Sequence, residues 1–575
     1  MICLGESEPS SMGRRLVLYL GVFSTRYPPP AFDSRQFSLV SDRIARRSFV
    51  ASSRGTSCVW VSIVFRRSWS ADNGNEARYS FLSAYAVSPK LSRGEPCPDV
   101  FRCVAPGTAH RTKGFFIPSE SFVFGAEAME HMVSETSDAS VLLVEAFHGG
   151  SHKQLVSTIE CLLTRRGEKV CLVTLPPTKW HWRARTGALA LAAAIPRGRD
   201  FRVMFTSAVF SLAELLALRP DLSAIPRKYV YFHENQLAYP LRHGDTKPDY
   251  QFAYIQVLSA VVADLVFFNS EFNMRGFYDR LPAFLGAGLP TPPIPRVPDP
   301  RTLVSDILLP KSRVLYFLVD TPLSCSTHEA VRSQAERIRR RGDSHLKILW
   351  NHRWEYDKNP VDFFKVIFSL AGITVDEDFF QRGMTTLRPS VGDVCQEAVS
   401  TFSTQAHSNL KFTASVLGAS NQDAPCIFSM AEPLLRAAGV VSAWGFVESR
   451  EAYWLELASC DVVVSTAHHE FFGVSVVEAV SVGCVPLLPN RLSYPELVSP
   501  ANSKRGSDSS LYGTLPQLRK QLRRWITCPG KLRERAAKSL LAAYGIESPE
   551  APWLRPEVFP NGILELEYYE VLRPK

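Results

Sequence analysis

The sequence predicts an α/β protein built as two Rossmann-like, doubly wound domains that face a cleft. Three observations carry this reading. Short apolar runs recur through residues 140–320 and again through 346–545, each about as long as a buried parallel strand. Helical stretches separate many of them, the alternation of a sheet wound by crossover helices. A polar, charged stretch at 321–345 divides the two series and reads as a linker with a helical piece. At 575 residues the chain is too long for one hydrophobic core.

Residues 1–139 differ from the rest. They are rich in Ser, Arg and Pro, and apolar runs such as 59–65 have no sustained period. They are expected to be a largely disordered extension, or a segment outside the translated protein. Met129 and Met132, just ahead of the first convincing strand, are candidate alternative starts. Residues 1–119 hold sixteen Lys and Arg, fourteen of them Arg, against eight Asp and Glu. Of the net charge of +9, only about +1 therefore belongs to the remainder. The overall charge is no nucleic-acid signal for the two α/β domains, where any RNA footprint must be a local patch.

The first domain, 140–320, opens with the run 141–146, then Phe147-His148-Gly149-Gly150-Ser151, a helix over 153–165 and a second run at 169–174. Strand, glycine turn, helix, strand is the start of a doubly wound domain. Further strands are expected at 202–205, 228–232, 265–268 and 314–318, and the Pro-rich stretch 285–300 is neither helix nor central strand. The second domain, 346–545, begins with the strand 346–350 and a helix near 362–370. Strands at 412–417, 440–444, 461–465 and 484–488 follow, with helices over 450–458 and 474–482. Residues 371–408 read as a polar insertion and 546–575 as a C-terminal tail.

Five segments are candidates for chemistry. The strongest is His468-His469-Glu470-Phe471-Phe472-Gly473-Val474-Ser475-Val476-Val477-Glu478, followed by Gly483-Cys484-Val485-Pro486. It sets Glu470 in the turn after a buried strand and Glu478 about one turn into a helix. Helix N-terminal amides can bind a diphosphate, and Gly473 lets the backbone approach it. A carboxylate in the loop can accept from sugar hydroxyls, and one in the helix can reach a ribose. The second segment is Asn351-His352-Arg353-Trp354-Glu355-Tyr356-Asp357-Lys358. Alone it reads as a charged loop, but its place ahead of the glutamate motif points to Arg353 and Lys358 neutralising a leaving diphosphate.

Gly149-Gly150 is a weaker signal, a tight turn that can also admit a phosphate or sugar. His233-Glu234-Asn235-Gln236 ends an apolar strand, where open sheets bind ligands. His233 can hold the transferred sugar, while Glu234, Asn235 and Gln236 can meet donor or acceptor. Lys179-Trp180-His181-Trp182-Arg183-Ala184-Arg185 combines stacking rings with cations, and Lys179, Trp180, Trp182, Arg183 and Arg185 are candidate RNA contacts.

The glutamate motif resembles the signature of the GT4 family of retaining glycosyltransferases, whose two facing domains form the GT-B architecture. Glu145-Ala146-Phe147-His148-Gly149-Gly150-Ser151-His152-Lys153-Gln154-Leu155 narrows the resemblance, with the 179–185 block, His233-Glu234-Asn235-Gln236 and Phe268-Asn269-Ser270-Glu271-Phe272-Asn273. Together these segments resemble the tRNA-queuosine α-mannosyltransferases over about residues 140–545. The resemblance implies transfer of mannose from GDP-mannose to the cyclopentenediol of queuosine at the wobble position of tRNA(Asp), with retention. It implies that Arg353, Lys358, Glu470 and Glu478 bind the donor beside Gly149, Gly150, Phe471, Phe472 and Gly473. His233 and Glu470 are its implied catalytic residues, and it implies no metal cofactor. The first domain would then receive the acceptor and the second the donor.

Three rivals remain. Asp376-Glu377-Asp378 can suggest a metal-dependent enzyme of another fold. The acceptor can instead be a glycan or lipid. The chain can also be a non-catalytic RNA- or nucleotide-binding protein on the same scaffold. No apolar run reaches the roughly 18–20 residues that span a bilayer. The run 16–23 behind Arg14 and Arg15 has the length of a signal-peptide core without a clear cleavage site, and the Arg- and Ser-rich start also fits an organelle presequence. Twelve cysteines with no CxxC pair favour a reducing compartment and offer no zinc framework. The expected location is the cytoplasm, with the nucleus or an organelle as alternatives.

Overall fold

The computed structural model describes residues 45–52, 58–68, 78–87, 133–134, 138–240, 249–288, 299–323, 326–385, 403–404, 411–420, 424–503, 509–559 and 562–575. The chain divides into two compact units, residues 1–122 and 123–575. In the first, strands β1 (Ala45–Ser52), β2 (Cys58–Ser68) and β3 (Arg78–Val87) form an antiparallel sheet. Residues 133–134 and 138–139 are also described, and the expectation of disorder over 1–139 otherwise falls outside the described residues.

The second unit holds two α/β lobes. In the first lobe, β4 (Val133–Ser134), β5 (Val141–Glu145), β6 (Val170–Thr174), β7 (Val203–Ser207), β8 (Arg227–Phe232), β9 (Leu265–Phe268) and β10 (Ser312–Val314) form one sheet. Its order is β10-β9-β8-β7-β5-β6-β4, parallel except for β4 on β6. β5 and β7 are buried along their whole length, as expected of strands covered on both faces by helices. Those helices include α1 (Gly150–Arg165), α2 (Trp180–Ala194), α3 (Tyr250–Val262) and α4 (Glu271–Gly288). The strand expected at 314–318 is shorter than the apolar run: residues 312–314 pair with β9, Leu315 adds one last bond by donating to the Phe268 carbonyl at 2.9 Å, and Phe317, Leu318 and Val319 are buried beyond the end of the strand.

The linker's helical piece, α5 (His328–Arg340), packs on the second lobe, where the Gln334 side chain donates to the Val482 carbonyl at 2.9 Å. The second sheet comprises β11 (Leu346–Asn351), β14 (Phe412–Leu417), β15 (Val441–Gly445), β16 (Val462–Val464), β17 (Val485–Pro489) and β18 (Leu511–Tyr512). It is parallel throughout, in the order β15-β14-β11-β16-β17-β18. Its helices include α6 (Pro360–Ala371), α7 (Glu377–Gly383), α8 (Ile427–Ala437), α9 (Arg450–Ser459), α10 (Val474–Ser481), α11 (Leu515–Thr527) and α12 (Pro529–Ala543). Of the insertion, the structure describes α7 and the short pair β12 (Ile373–Thr374) and β13 (Ser403–Thr404); residues 386–402 and 405–408 lie outside the described residues.

The tail is not a free end. Its helix α13 (Gly562–Leu572) returns to the first lobe, where the Tyr568 hydroxyl donates to the Tyr316 carbonyl at 3.0 Å and Arg227 donates to the Arg573 carbonyl at 2.8 Å. Two parallel, doubly wound lobes therefore face one another in the GT-B arrangement.

Candidate active site

Both sheets reverse their winding beside the cleft. β6 and β7 flank β5 on opposite sides in the first lobe, and β14 and β16 flank β11 in the second. Loops leaving such strands at their carboxyl ends diverge and open a crevice for ligand. Residues 146–149 follow β5, 352–359 follow β11, and 465–473 follow β16. A single cleft of about 2140 Å³ is lined by Gly149, Gly150, Arg353, Lys358, Glu470 and Glu478, so the expected donor groups of these loops meet. That volume exceeds the roughly 300–1,000 Å³ of a small-ligand pocket and leaves room for a second, larger substrate.

Lys358 is buried at the centre. Its ammonium lies 3.1 Å from both the Glu470 and the Asp357 carboxylates and donates to the His469 carbonyl at 2.9 Å. Burial alone would raise the Glu470 pKa, but Lys358 and His352 outweigh it and hold the carboxyl at about 2. Burial would likewise lower Lys358, and its two carboxylate neighbours raise it above the usual ammonium range. Both groups are therefore charged at neutral pH. Arg353 pairs with Glu355 at 3.1 Å, and with 59% of its side chain exposed it remains open to a ligand.

Glu478 sits on α10 and accepts from Arg450 at 2.9 Å, from the Tyr453 hydroxyl at 2.8 Å and from Gln154 of the first lobe at 3.1 Å. Sequence reasoning missed these three partners. Arg450 and Tyr453 lie on an ordinary helix face with no motif around them. Gly473 precedes α10 with φ +106°, and a Cβ there would lie 3.0 Å from the Tyr494 ring. Glycine is required on both counts. Phe471 and Phe472 are both buried, Phe472 against Tyr316 and Phe317 of the first lobe, so their rings serve packing beside the cleft.

On the first lobe, α1 begins at the cleft without a side-chain cap, so its leading amides are free for an anion. A Cβ on Gly149 would come within 2.4 Å of Pro177, and Gly150 has φ +52°, so this turn needs its glycines for packing and conformation. The His233 ring stacks on His152, centroids 3.9 Å apart and planes tilted by 32°. Burial, then the neighbouring His152, push the His233 pKa well below its usual value and keep the ring neutral. It is His152 that stands among the cleft-lining residues, with His233 against it.

Glu234 and Gln236 line the cleft. Asn235 does not: it is fully buried, donating to Asn273 at 2.7 Å and accepting from the Ala238 amide at 2.8 Å. The basic aromatic block starts α2. Lys179 holds its N-cap in a left-handed conformation. Arg183 is tied to the Pro176 carbonyl at 3.0 Å and to Thr178 at 3.4 Å. Arg185 pairs with Asp249, bonds Gln251 at 3.0 Å and covers the Phe252 ring. Trp180 packs on Phe252 and lines the cleft, whereas Trp182 is 63% exposed.

Asp376 and Asp378 each have a local partner. Asp376 caps α7 by accepting from the Phe379 amide at 2.7 Å, and Asp378 faces Arg382. Among the described residues one group, Glu145, His152 and His233, has possible ligand atoms all within 4.8 Å. Stacked imidazoles do not converge on a common ion, and both Glu145 oxygens already accept hydrogen bonds from Phe147 N and His152 Nδ1. The group is a hydrogen-bonded cluster of one carboxylate and two imidazoles. No helix among the described residues is long and apolar enough to cross a membrane.

Among solved structures, the chain is similar to sucrose-phosphate synthase from Thermosynechococcus elongatus, with 12% identity, TM-score 0.43, and coverage of 70% of this chain and 94% of that one. It is also similar to a trehalose-6-phosphate synthase, with 11% identity, TM-score 0.43, and coverage of 75% and 98%. Residues 140–319 match the family described as tRNA-queuosine alpha-mannosyltransferase N-terminal. The tRNA-queuosine alpha-mannosyltransferase of Drosophila melanogaster is 36% identical over 396 residues, covering 68% of this chain and 89% of the fly protein. That span takes in both lobes' worth of chain, and by it this protein is a glycosyltransferase that belongs to the tRNA-queuosine α-mannosyltransferase family.

Proposed function

We propose that this chain transfers mannose from GDP-mannose to the cyclopentenediol of queuosine at the wobble position of tRNA(Asp), with retention at the anomeric carbon. The observation that carries the reading is the meeting of Arg353, Lys358 and Glu470 with the uncapped start of α1 across one cleft. Lys358 and Arg353 offset charge on the leaving diphosphate, which lets the reaction run without a divalent cation. Glu470, held ionised by Lys358, accepts from mannose hydroxyls. Glu478, already oriented by Arg450 and Tyr453, faces the ribose. The acceptor hydroxyl attacks C1 from the side on which the diphosphate departs, and its proton passes to the leaving phosphate oxygen. Trp180 in the cleft wall and Trp182 outside it supply stacking surface for the unpaired bases of the tRNA loop. The proposed setting is the cytoplasm, in keeping with Cys161, Cys171, Cys426, Cys460, Cys484 and Cys528, none of which is in a disulfide.

Incubation with labelled GDP-mannose and queuosine-containing or unmodified tRNA tests this reading. Label is expected on the modified aspartate tRNA alone, unchanged by chelator and lost in Glu470→Ala. Label on neither tRNA contradicts the acceptor, and loss of label on chelation contradicts the metal-free chemistry.

A further inference from the structure

The reading above leaves one buried pair of groups without a task. Glu145 closes β5 with no exposed surface, and its carboxylate accepts from the Phe147 amide at 2.7 Å and from His152 Nδ1 at 3.2 Å. A charged residue at the end of four apolar ones is costly to bury unless it holds something in place. What it holds is His152, in the first turn of α1, only 8% exposed yet part of the cleft wall. The other ring nitrogen, Nε2, has no hydrogen-bond partner among the described residues. Stacking on His233 and an edge contact with Phe147 fix the ring plane. Beside it lie the uncapped leading amides of α1. A fixed N–H donor and free helix amides share one preference, an anionic oxygen.

We infer that His152, oriented by Glu145, donates from Nε2 to a phosphate oxygen of the nucleotide-sugar diphosphate, gripping it from the first lobe opposite Arg353 and Lys358. Glu145 is then a positioning residue and His152 a donor-contacting one. The inference rests on the proposed function, because it takes the cleft ligand to be a diphospho-sugar.

The charged and titratable groups that face His152 are Glu145 on β5, His233 and Glu234 after β8, and Arg353 from the second lobe. Burial acts to lower the His152 pKa, and the Glu145 carboxylate more than offsets it, so the net direction is upward. A raised histidine keeps its proton, and the affinity that depends on it, at low pH and loses both as pH rises through the folded value. Other histidines near the cleft are shifted the opposite way: His352 and His469 are pushed down by burial to about 4, and His148, His233 and His468 are also lowered.

The test is the affinity of GDP-mannose, without acceptor, measured across pH 5.5–9 for the full chain, Glu145→Gln and His152→Gln. GDP-mannose is preferred to GDP, whose terminal phosphate titrates near pH 6. Wild-type affinity is expected to fall on the alkaline side. Glu145→Gln should move that fall to lower pH, and His152→Gln should bind about ten- to a hundredfold more weakly with no fall. A flat wild-type profile, or His152→Gln binding like wild type, overturns the inference while leaving the transfer reaction standing. Absence of GDP-mannose binding in wild type overturns the proposed function itself. Should neither variant fold, the wild-type profile decides alone. Loss of affinity on chelation, restored by zinc, also overturns the inference in favour of a bound ion.

Discussion

At Lys358 the fold sets one buried ammonium between two carboxylates and a carbonyl, and both Lys358 and Glu470 are charged at neutral pH. Removing one partner strands the other in a low-dielectric site. Lys358→Met should therefore cost about 3–5 kcal/mol of stability in denaturant unfolding and lower the transfer rate roughly 10²–10³-fold. The double variant Lys358→Met/Glu470→Gln should recover much of the stability and none of the transfer; equal loss of stability in both would contradict the pairing. Asn235 makes the opposite case. Its amide is consumed by Asn273 and the Ala238 amide, so Asn235→Ala should destabilise by about 1–3 kcal/mol and leave the KM for tRNA unchanged. The two residues show what was legible at this scale. Lys358 and Glu470 stand in motifs whose order betrays the site, whereas nothing in His233-Glu234-Asn235-Gln236 says which side chains turn inward. Glu145 and His152 lay in plain view beside the glycine turn. Only the fold reveals that the carboxylate ending an apolar strand points at an imidazole seven residues on.

Among the elements, the strands were the most readable. A parallel sheet covered on both faces needs near-continuous apolar runs, and β5, β6, β11, β14 and β17 are such runs. β18 has two residues, too short to leave a pattern, and the run at 314–318 extends past its strand because the burial of residues 317–319 comes from packing beyond the last ladder bond at Leu315. The burial of Phe471 and Phe472 has a related origin: a loop at a switch point needs apolar anchors as well as ligands, and the sequence does not separate them. Two predictions belong to this scale. Gly473→Ala forces a side chain into φ +106° and against Tyr494, so it should cost about 1–3 kcal/mol and weaken donor binding, read by thermal unfolding and calorimetry. Trp182→Ala, on the open side of α2, should leave stability unchanged and raise the KM for tRNA by about tenfold, the loss of one stacked base. An unchanged KM would remove α2 from the acceptor surface.

Across the whole molecule the lobes are joined by polar contacts as well as apolar ones. Ser270 donates to the Phe471 carbonyl at 2.6 Å, and the Glu496 carboxylate caps the start of α4 from the other lobe, accepting the Glu271 and Phe272 amides at 2.8 and 2.9 Å. Glu496→Ala should expose those two amides, so their hydrogen exchange should quicken ahead of the rest of α4; unchanged exchange would show that the cap does not hold the lobes. Such contacts join residues more than 200 positions apart and have no local signature, and neither has the return of α13 to the first lobe. The two-lobed plan was readable from periodicity, but the closure of the lobes was not.

The central claim is that the first turn of the second lobe and the loop after β16 grip one diphospho-sugar. Arg353 and Glu470 have no direct hydrogen bond or ion pair with each other, so any coupling between them must pass through what they share. A double-mutant cycle on GDP-mannose affinity, with Arg353→Gln, Glu470→Gln and the pair, measures it. The account predicts a coupling of about 1 kcal/mol or more. Additive losses, within about 0.5 kcal/mol, would contradict a common ligand.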